Sequence, residues 1–163
     1  MSHPEQTDRD PSTKHLKCDP RMARLLFRSY YDELETISTY IYNSLLLEEC
    51  CPQTASLFET VAMTEMHHFR LLGSAIRHMG GNPVIRLDLR VPAFDLCPDA
   101  PRAKFDTVAR QMLRAAINGE QTAAWGYRAL ADKTRDNALR DLLCRIAADE
   151  EEHAKLFQSL GGC

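Results

Sequence analysis

The chain has 163 residues, six cysteines and a formal net charge of -3, with both signs of charge spread along it. That length favours one domain around a single filled core. No basic stripe points to nucleic acid, and no apolar run approaches the ~18 residues that span a bilayer, so neither nucleic acid nor a membrane is expected as a partner.

Residues 1–18 are polar, lack an apolar signal core, and read as a disordered N-terminal tail, which leaves the cytoplasm as the expected compartment. Asp19-Pro20 then supplies a cap and a first-turn proline for a helix from about 20 to 49, which stops at Cys50-Cys51-Pro52. A second helix runs to about 79, where Gly80-Gly81 provides the stop. The segment 80–100 carries Gly80, Gly81, Pro83, Pro92 and Pro98 and reads as a long link, with a short extended piece at 84–91. A third helix is predicted from near Pro101 to about Arg135, and a fourth, capped by Asp136, ends at Gly161-Gly162. No cysteines form a C-x-x-C pair, so the thiols are read as reduced and incidental.

Four long helices with two tight turns make residues 19–163 an all-α, four-helix bundle domain. Some twenty linking residues can reach ~60–70 Å when extended, enough to cross the whole bundle. Helices 2 and 3 are then parallel, and the topology is up-down-down-up with a long crossover.

One constellation occurs twice, 85 positions apart: Glu35, Tyr42, Glu65, His68 and then Glu120, Tyr127, Glu150, His153. Such a repeat indicates a duplicated structural unit. Glu65 and His68 lie in an apolar seam with Phe58, Val61, Leu72 and Ile76, and Glu150 and His153 in one with Leu143, Ile146, Phe157 and Leu160. Glu120 shares a stripe with Met112, Ala116, Ala123 and Tyr127. Glu35 sits in a less apolar track with Thr39, Tyr42 and Leu46. Four carboxylates in a core cost several kcal/mol each when uncompensated. No Lys or Arg on these stripes can neutralise them, whereas two divalent cations would. The i,i+3 spacing of each Glu and His puts both side chains on one helix face.

The pattern Glu35 … Glu65-x-x-His68 … Glu120 … Glu150-x-x-His153 resembles the ferritin-like superfamily of di-iron and di-manganese carboxylate proteins over residues 20–160. Within it the pattern is most similar to rubrerythrin-like and bacterioferritin-like members. The resemblance implies two Fe ions, or alternatively two Mn ions. It places Glu35 and His68 on one metal and Glu120 and His153 on the other, with Glu65 and Glu150 bridging. It implies that Tyr42 and Tyr127 donate to carboxylates across the bundle. Asp149 either orients a ligand histidine, as the resemblance implies, or is an exposed acid; the matching residue in the first half is Thr64. Met66 stands where bacterioferritins place a haem-ligating methionine, but haem is not expected. Where rubrerythrins add a glutamate, this chain has Ala123, and their rubredoxin module is absent.

The function implied is a metal-dependent oxidoreductase acting on peroxide or O₂, with rubrerythrin-like peroxide detoxification leading. A separate electron-donor protein would supply reducing equivalents, and a homodimer or larger homo-oligomer is expected. The alternatives are a ferroxidase serving iron storage and manganese-catalase-like dismutation of peroxide.

Overall fold

The computed structural model describes Thr13, residues 15–86 and residues 102–160, with the side chains of the third helix described from Asp106 onward. Four helices carry the chain: α1 (Pro20–Leu47), α2 (Pro52–His78), α3 (Arg102–Lys133) and α4 (Asn137–Ser159). No strand occurs among the described residues. The expected extended piece at 84–91 has no strand in 84–86, and its remainder lies outside them. So do Pro101 and the predicted stop at Gly161-Gly162.

The helix ends follow the local chemistry. Asp19 accepts from the N–H groups of Arg21 and Met22, each at 3.0 Å, and Pro20 occupies the first turn where no donor is needed. α1 ends two residues short of the predicted 49. The N–H groups of Cys50 and Cys51 both turn back onto the Leu47 carbonyl, at 3.2 and 2.8 Å. α2 closes on Gly80, whose φ of +87° suits a residue without a Cβ. Gly81 N–H returns to the Ile76 carbonyl (2.8 Å) and Gly80 N–H to that of Arg77 (3.1 Å), so two otherwise unpaired carbonyls are satisfied.

α1 pairs with α2 and α3 with α4 as two hairpins, and α1 also lies beside α3 and α2 beside α4. Cross-helix contacts set the directions. Tyr40 meets Glu120 while Glu33 meets Tyr127, so α1 and α3 are antiparallel. Phe58 meets Phe157 while His68 meets Asp149, so α2 and α4 are antiparallel. With antiparallel hairpins, this makes α2 and α3 parallel, in the up-down-down-up order.

Two apolar cores fill the bundle. One gathers Leu26, Tyr30, Leu72, Ile76, Leu139, Leu143 and Ile146. The other gathers Tyr40, Leu47, Phe58, Val61, Leu113, Ala116 and Phe157. Between them lies a polar layer of Glu33, Glu65, His68, Glu120, Glu150 and His153, all buried.

Two expectations change here. Part of the predicted disordered tail is docked: Leu16 is buried, and Thr13 Oγ1 lies 2.9 Å from Ser74 Oγ. Lys17 N–H donates to Asp136 (3.1 Å), and the Cys18 thiol reaches the Met79 carbonyl (3.5 Å). An apolar residue at 16 with a hydrogen-bonding partner on each side gives this stretch enough to bury. Residues 1–12 and 14 lie outside the described set. Cys18, Cys50 and Cys144 are free thiols as expected, whereas the buried Cys51 is disulfide-bonded.

Candidate metal centre

Each helix sends one carboxylate into the polar layer. α1 contributes Glu33, α2 Glu65, α3 Glu120 and α4 Glu150, with His68 and His153 one turn beyond the α2 and α4 acids. The sequence expectation placed Glu35 and Tyr42 here, and the structure does not. Glu35 is exposed, and Tyr42 is 61% exposed. A helix turns about 100° per residue, so a shift of two positions swings a side chain about 200°, to the opposite face. The residues that face inward are Glu33 and Tyr40, both on a seam of Leu26, Tyr30, Glu33, Ile37, Tyr40 and Leu47. That four-three spacing was the available signal. It was hidden because the exact 85-residue match of Glu35 and Tyr42 to the second half is accidental. The inward pair is offset by 87 (33→120, 40→127).

The six inward groups form two overlapping sets. One is Glu33, Glu65, His68 and Glu150; the other is Glu65, Glu120, Glu150 and His153. In each set, one oxygen or nitrogen per residue lies within 4.8 Å of the rest. Glu65 and Glu150 belong to both. His68 Nδ1 sits 2.9 Å from Glu65 Oε2 and 3.2 Å from Glu150 Oε1. His153 Nδ1 sits 2.8 Å from Glu65 Oε1, 3.3 Å from Glu150 Oε2 and 3.5 Å from Glu120 Oε2. The two imidazoles are 5.9 Å apart between ring centroids.

Hydrogen bonds around this layer exchange between the halves. Tyr40 donates to Glu120 Oε1 and Tyr127 to Glu33 Oε1. The other ring nitrogen of His68 faces Asp149 Oδ2 at 3.1 Å. Asp149 is thus both surface-exposed and in contact with a histidine, and that histidine belongs to the other hairpin. Among the sequence-predicted residues, the structure brings together Glu65, His68, Glu120, Glu150, His153, Tyr127 and Asp149. It leaves out Glu35 and Tyr42 and adds Glu33 and Tyr40.

The protonation pattern shows how the layer survives burial. Burial pushes the Glu33 carboxyl up to about 10, helped by the negative Glu65 and Glu150. Burial also raises Glu120 to about 8, although the imidazole of His153 pulls the other way. For Glu150 burial acts upward but loses to the adjacent imidazoles of His153 and His68, which hold it down to about 2. Glu65 is lowered for the same reason. Burial pulls the imidazoles down, yet the surrounding carboxylates win and raise His68 to about 11 and His153 to about 12. At neutral pH two ionised carboxylates face two imidazoliums, and two carboxyls are protonated. Without metal the layer is neutral, but only by holding extra protons.

The donor set fits two divalent cations. Four carboxylates and two M²⁺ also sum to zero, with the imidazoles neutral. Oε1 of Glu65 and Oε1 of Glu150 are buried and lack a hydrogen-bond partner. An imidazole nitrogen is close to each, yet its N–H does not point along a hydrogen bond to them. Those two contacts are close without being hydrogen bonds, so each oxygen keeps lone pairs free to meet a cation. These are the two carboxylates shared by both sets.

A cavity of about 540 Å³ opens onto the layer from the α1/α3 side. Glu33, Glu65, Glu120 and Glu150 lie at its floor, with Asp32, Thr36, Asn118 and Trp125 among the other lining residues.

Comparison with known proteins agrees with this architecture. A family model described as a ferritin-like domain matches residues 25–161. The bacterioferritin of Rhodobacter capsulatus, whose structure is described as having a metal-free dinuclear site and haem iron, is similar in fold. It gives a TM-score of 0.68 at 21% identity over 88% of this chain and 85% of that one. No curated protein matches the sequence. No helix among the described residues is long and apolar enough to cross a membrane. With the family model spanning nearly all of the bundle, and four carboxylates and two histidines gathered at its centre, the chain belongs to the ferritin-like family.

Proposed function

We propose that this protein is a non-haem di-iron oxidoreductase of the ferroxidase type, with ferrous iron as electron source and O₂ or hydrogen peroxide as oxidant. The observation that carries it is the pair of overlapping ligand sets sharing Glu65 and Glu150. Glu33 and His68 would hold one ion, Glu120 and His153 the other, and the shared carboxylates both. When bound, the metal pair supplies a two-electron change at adjacent ions.

The protein's own groups do the rest. Six ligand residues on four packed helices fix the spacing before any ion arrives, so little ordering cost falls on binding. Tyr40 and Tyr127 orient Glu120 and Glu33 and leave one oxygen of each facing the centre. Asp149 orients His68 through the nitrogen that faces away from the cluster. The Tyr40–Phe58–Phe157 aromatic cluster, with ring centroids 4.9–5.4 Å apart, keeps water from one end of the layer.

Donor-fed peroxide removal would use the same centre, with electrons from a separate protein. Ala123 favours iron as the electron source: it lines the cavity, and no carboxylate stands there to complete a rubrerythrin-like ligand set. Manganese fits the same oxygen and nitrogen donors and is separated from iron by the metal content of protein from its native host.

The test is anaerobic titration with Fe²⁺ followed by O₂ or peroxide. Two ions per chain and oxidation of both are expected, and Glu65→Ala and Glu150→Ala should each abolish the paired site. Full metal content in both variants would overturn the proposal. Steady peroxide consumption that requires an added donor, without net iron oxidation, would replace ferroxidase by peroxidase.

A further inference from the structure

The two hairpins offer matching ligand residues but unequal support behind them. Asp149 on α4 reaches across to the other hairpin, where its Oδ2 lies 3.1 Å from Nε2 of His68. An ionised carboxylate can only accept, so Nε2 carries the N–H of this bond. A neutral ring held that way keeps the lone pair of Nδ1 on the side of Glu65 and Glu150, which lie 2.9 and 3.2 Å from it. His68 is thus set in the tautomer and orientation that a cation needs.

His153 has no such brace. The residue corresponding to Asp149 in the first half is Thr64, 85 positions earlier. The contacts Phe58–Phe157 and His68–Asp149 run α2 against α4 in opposite directions, which sets Thr64 level with His153. A threonine hydroxyl there is uncharged and can donate as readily as accept, so it selects no tautomer. Among the described residues His153 makes its close polar contacts through Nδ1 alone, to Glu65, Glu120 and Glu150. An N–H on Nδ1 closes that ring to a cation until the proton leaves. The remaining terms are alike in the two halves. Each set has one carboxylate of its own, one imidazole and the shared Glu65 and Glu150, and each unshared carboxylate accepts from a tyrosine of the other hairpin.

We propose that the Asp149/Thr64 difference makes the two ion positions unequal, so that the Glu33–His68 position fills first and the Glu120–His153 position second. Asp149 is then a positioning residue that acts through His68, and Thr64 is why the second position is the weaker. The inference rests on the metal reading of the centre. Partners that orient a ligand histidine change metal affinity by about 10–100-fold. The Asp149 side chain is 55% exposed, so water screens it and the lower figure applies. A chain short of metal therefore carries mostly one ion, held on the α1/α2 hairpin.

The test is stepwise titration of the metal-free full chain with Zn²⁺, followed by nitrogen NMR of the histidine rings and by calorimetry. The first equivalent should shift mainly the ring of His68, and the second that of His153. Asp149→Asn keeps the side-chain shape and should weaken the first step about tenfold, so that both rings respond together. Thr64→Asp should tighten the second step by about as much. The exchange Thr64→Asp/Asp149→Thr should reverse the order of filling, a result that misfolding cannot produce. A capacity of two ions per chain in each variant shows that the bundle is intact. A wild-type protein in which both rings respond together, or His153 first, would overturn the inference while leaving the metal centre standing. An unchanged order in the exchange variant would overturn it as well. No Zn²⁺ at either ring of the wild-type protein would overturn the centre and the inference together.

Discussion

The hydroxyl of Tyr127 on α3 donates to Oε1 of Glu33 on α1, 94 positions earlier. Tyr40 on α1 returns an equivalent bond to Glu120 on α3. Each hairpin thus holds an inward-facing carboxylate of the other. These bonds stitch the α1/α3 seam where the cavity would otherwise part it. Burial and the adjacent carboxylates raise both phenols well above their ordinary range, so they remain donors at any working pH.

Tyr40→Phe and Tyr127→Phe should therefore each destabilise the metal-free protein by about 1–3 kcal/mol, the usual cost of stranding a buried acceptor. Equilibrium urea unfolding, read as a change in midpoint at constant slope, checks this. A loss under 0.5 kcal/mol in both would mean that the carboxyls find other donors.

Glu33→Gln and Glu35→Gln separate the inward register from the one suggested by the repeat. Glu33→Gln should lower capacity from two tightly held ions towards one, because its set loses a terminal ligand. Glu35→Gln should leave capacity and stability within about 0.5 kcal/mol of wild type, as for an exposed surface change. Metal content after gel filtration distinguishes them, and the opposite ranking would restore Glu35 to the centre.

Most of the centre was legible because α2, α3 and α4 obey one rule. Their inward Glu and His residues interrupt otherwise apolar seams, and Glu65-x-x-His68 and Glu150-x-x-His153 repeat at a spacing of 85. The register of α1 was not, because two signals disagreed there. The repeat arithmetic favoured Glu35 and Tyr42, while the seam favoured Glu33 and Tyr40. The seam won since helix geometry buries faces, not offsets. The first hairpin places 32 positions between its inward glutamates and the second 30, so a rigid duplication fails across that turn. The docked tail was missed for a different reason. Composition marks 1–18 as polar, but Leu16 needs only one groove and Lys17 only one acceptor to be held.

That acceptor is Asp136, which also caps α4 through Leu139 N–H at 3.2 Å. Asp136→Ala should remove both roles and cost about 1–2 kcal/mol, the upper part of the range for a lost N-cap. Hydrogen exchange should accelerate at the amides of Lys17 and Leu139 and stay unchanged at Val61 in the core. Unaltered protection at Lys17 would show that Leu16 alone holds the tail.

The protons stored in the metal-free layer give the protein a distinctive pH dependence. In the folded state Glu33 is raised to about 10 and Glu120 to about 8, and His68 and His153 to about 11 and 12. From pH 5 to 8 the folded chain therefore holds more protons than the unfolded chain, and stability must fall as pH rises. The contribution of the two histidines is full below their unfolded value near 6.5 and is lost as pH climbs through 11 to 12. Glu150, held at about 2, adds stability above its unfolded value that disappears only as pH drops towards 2. Divalent ions must displace the stored protons from Glu33, Glu120, His68 and His153, so loading the pair near pH 7 should release about four. Each proton released multiplies the product of the two binding constants by about ten per pH unit. Calorimetric titration with Co²⁺ in buffers of different ionisation enthalpy counts them directly. Four is the expected number, and fewer than two would mean that the layer balances its charge without imidazolium.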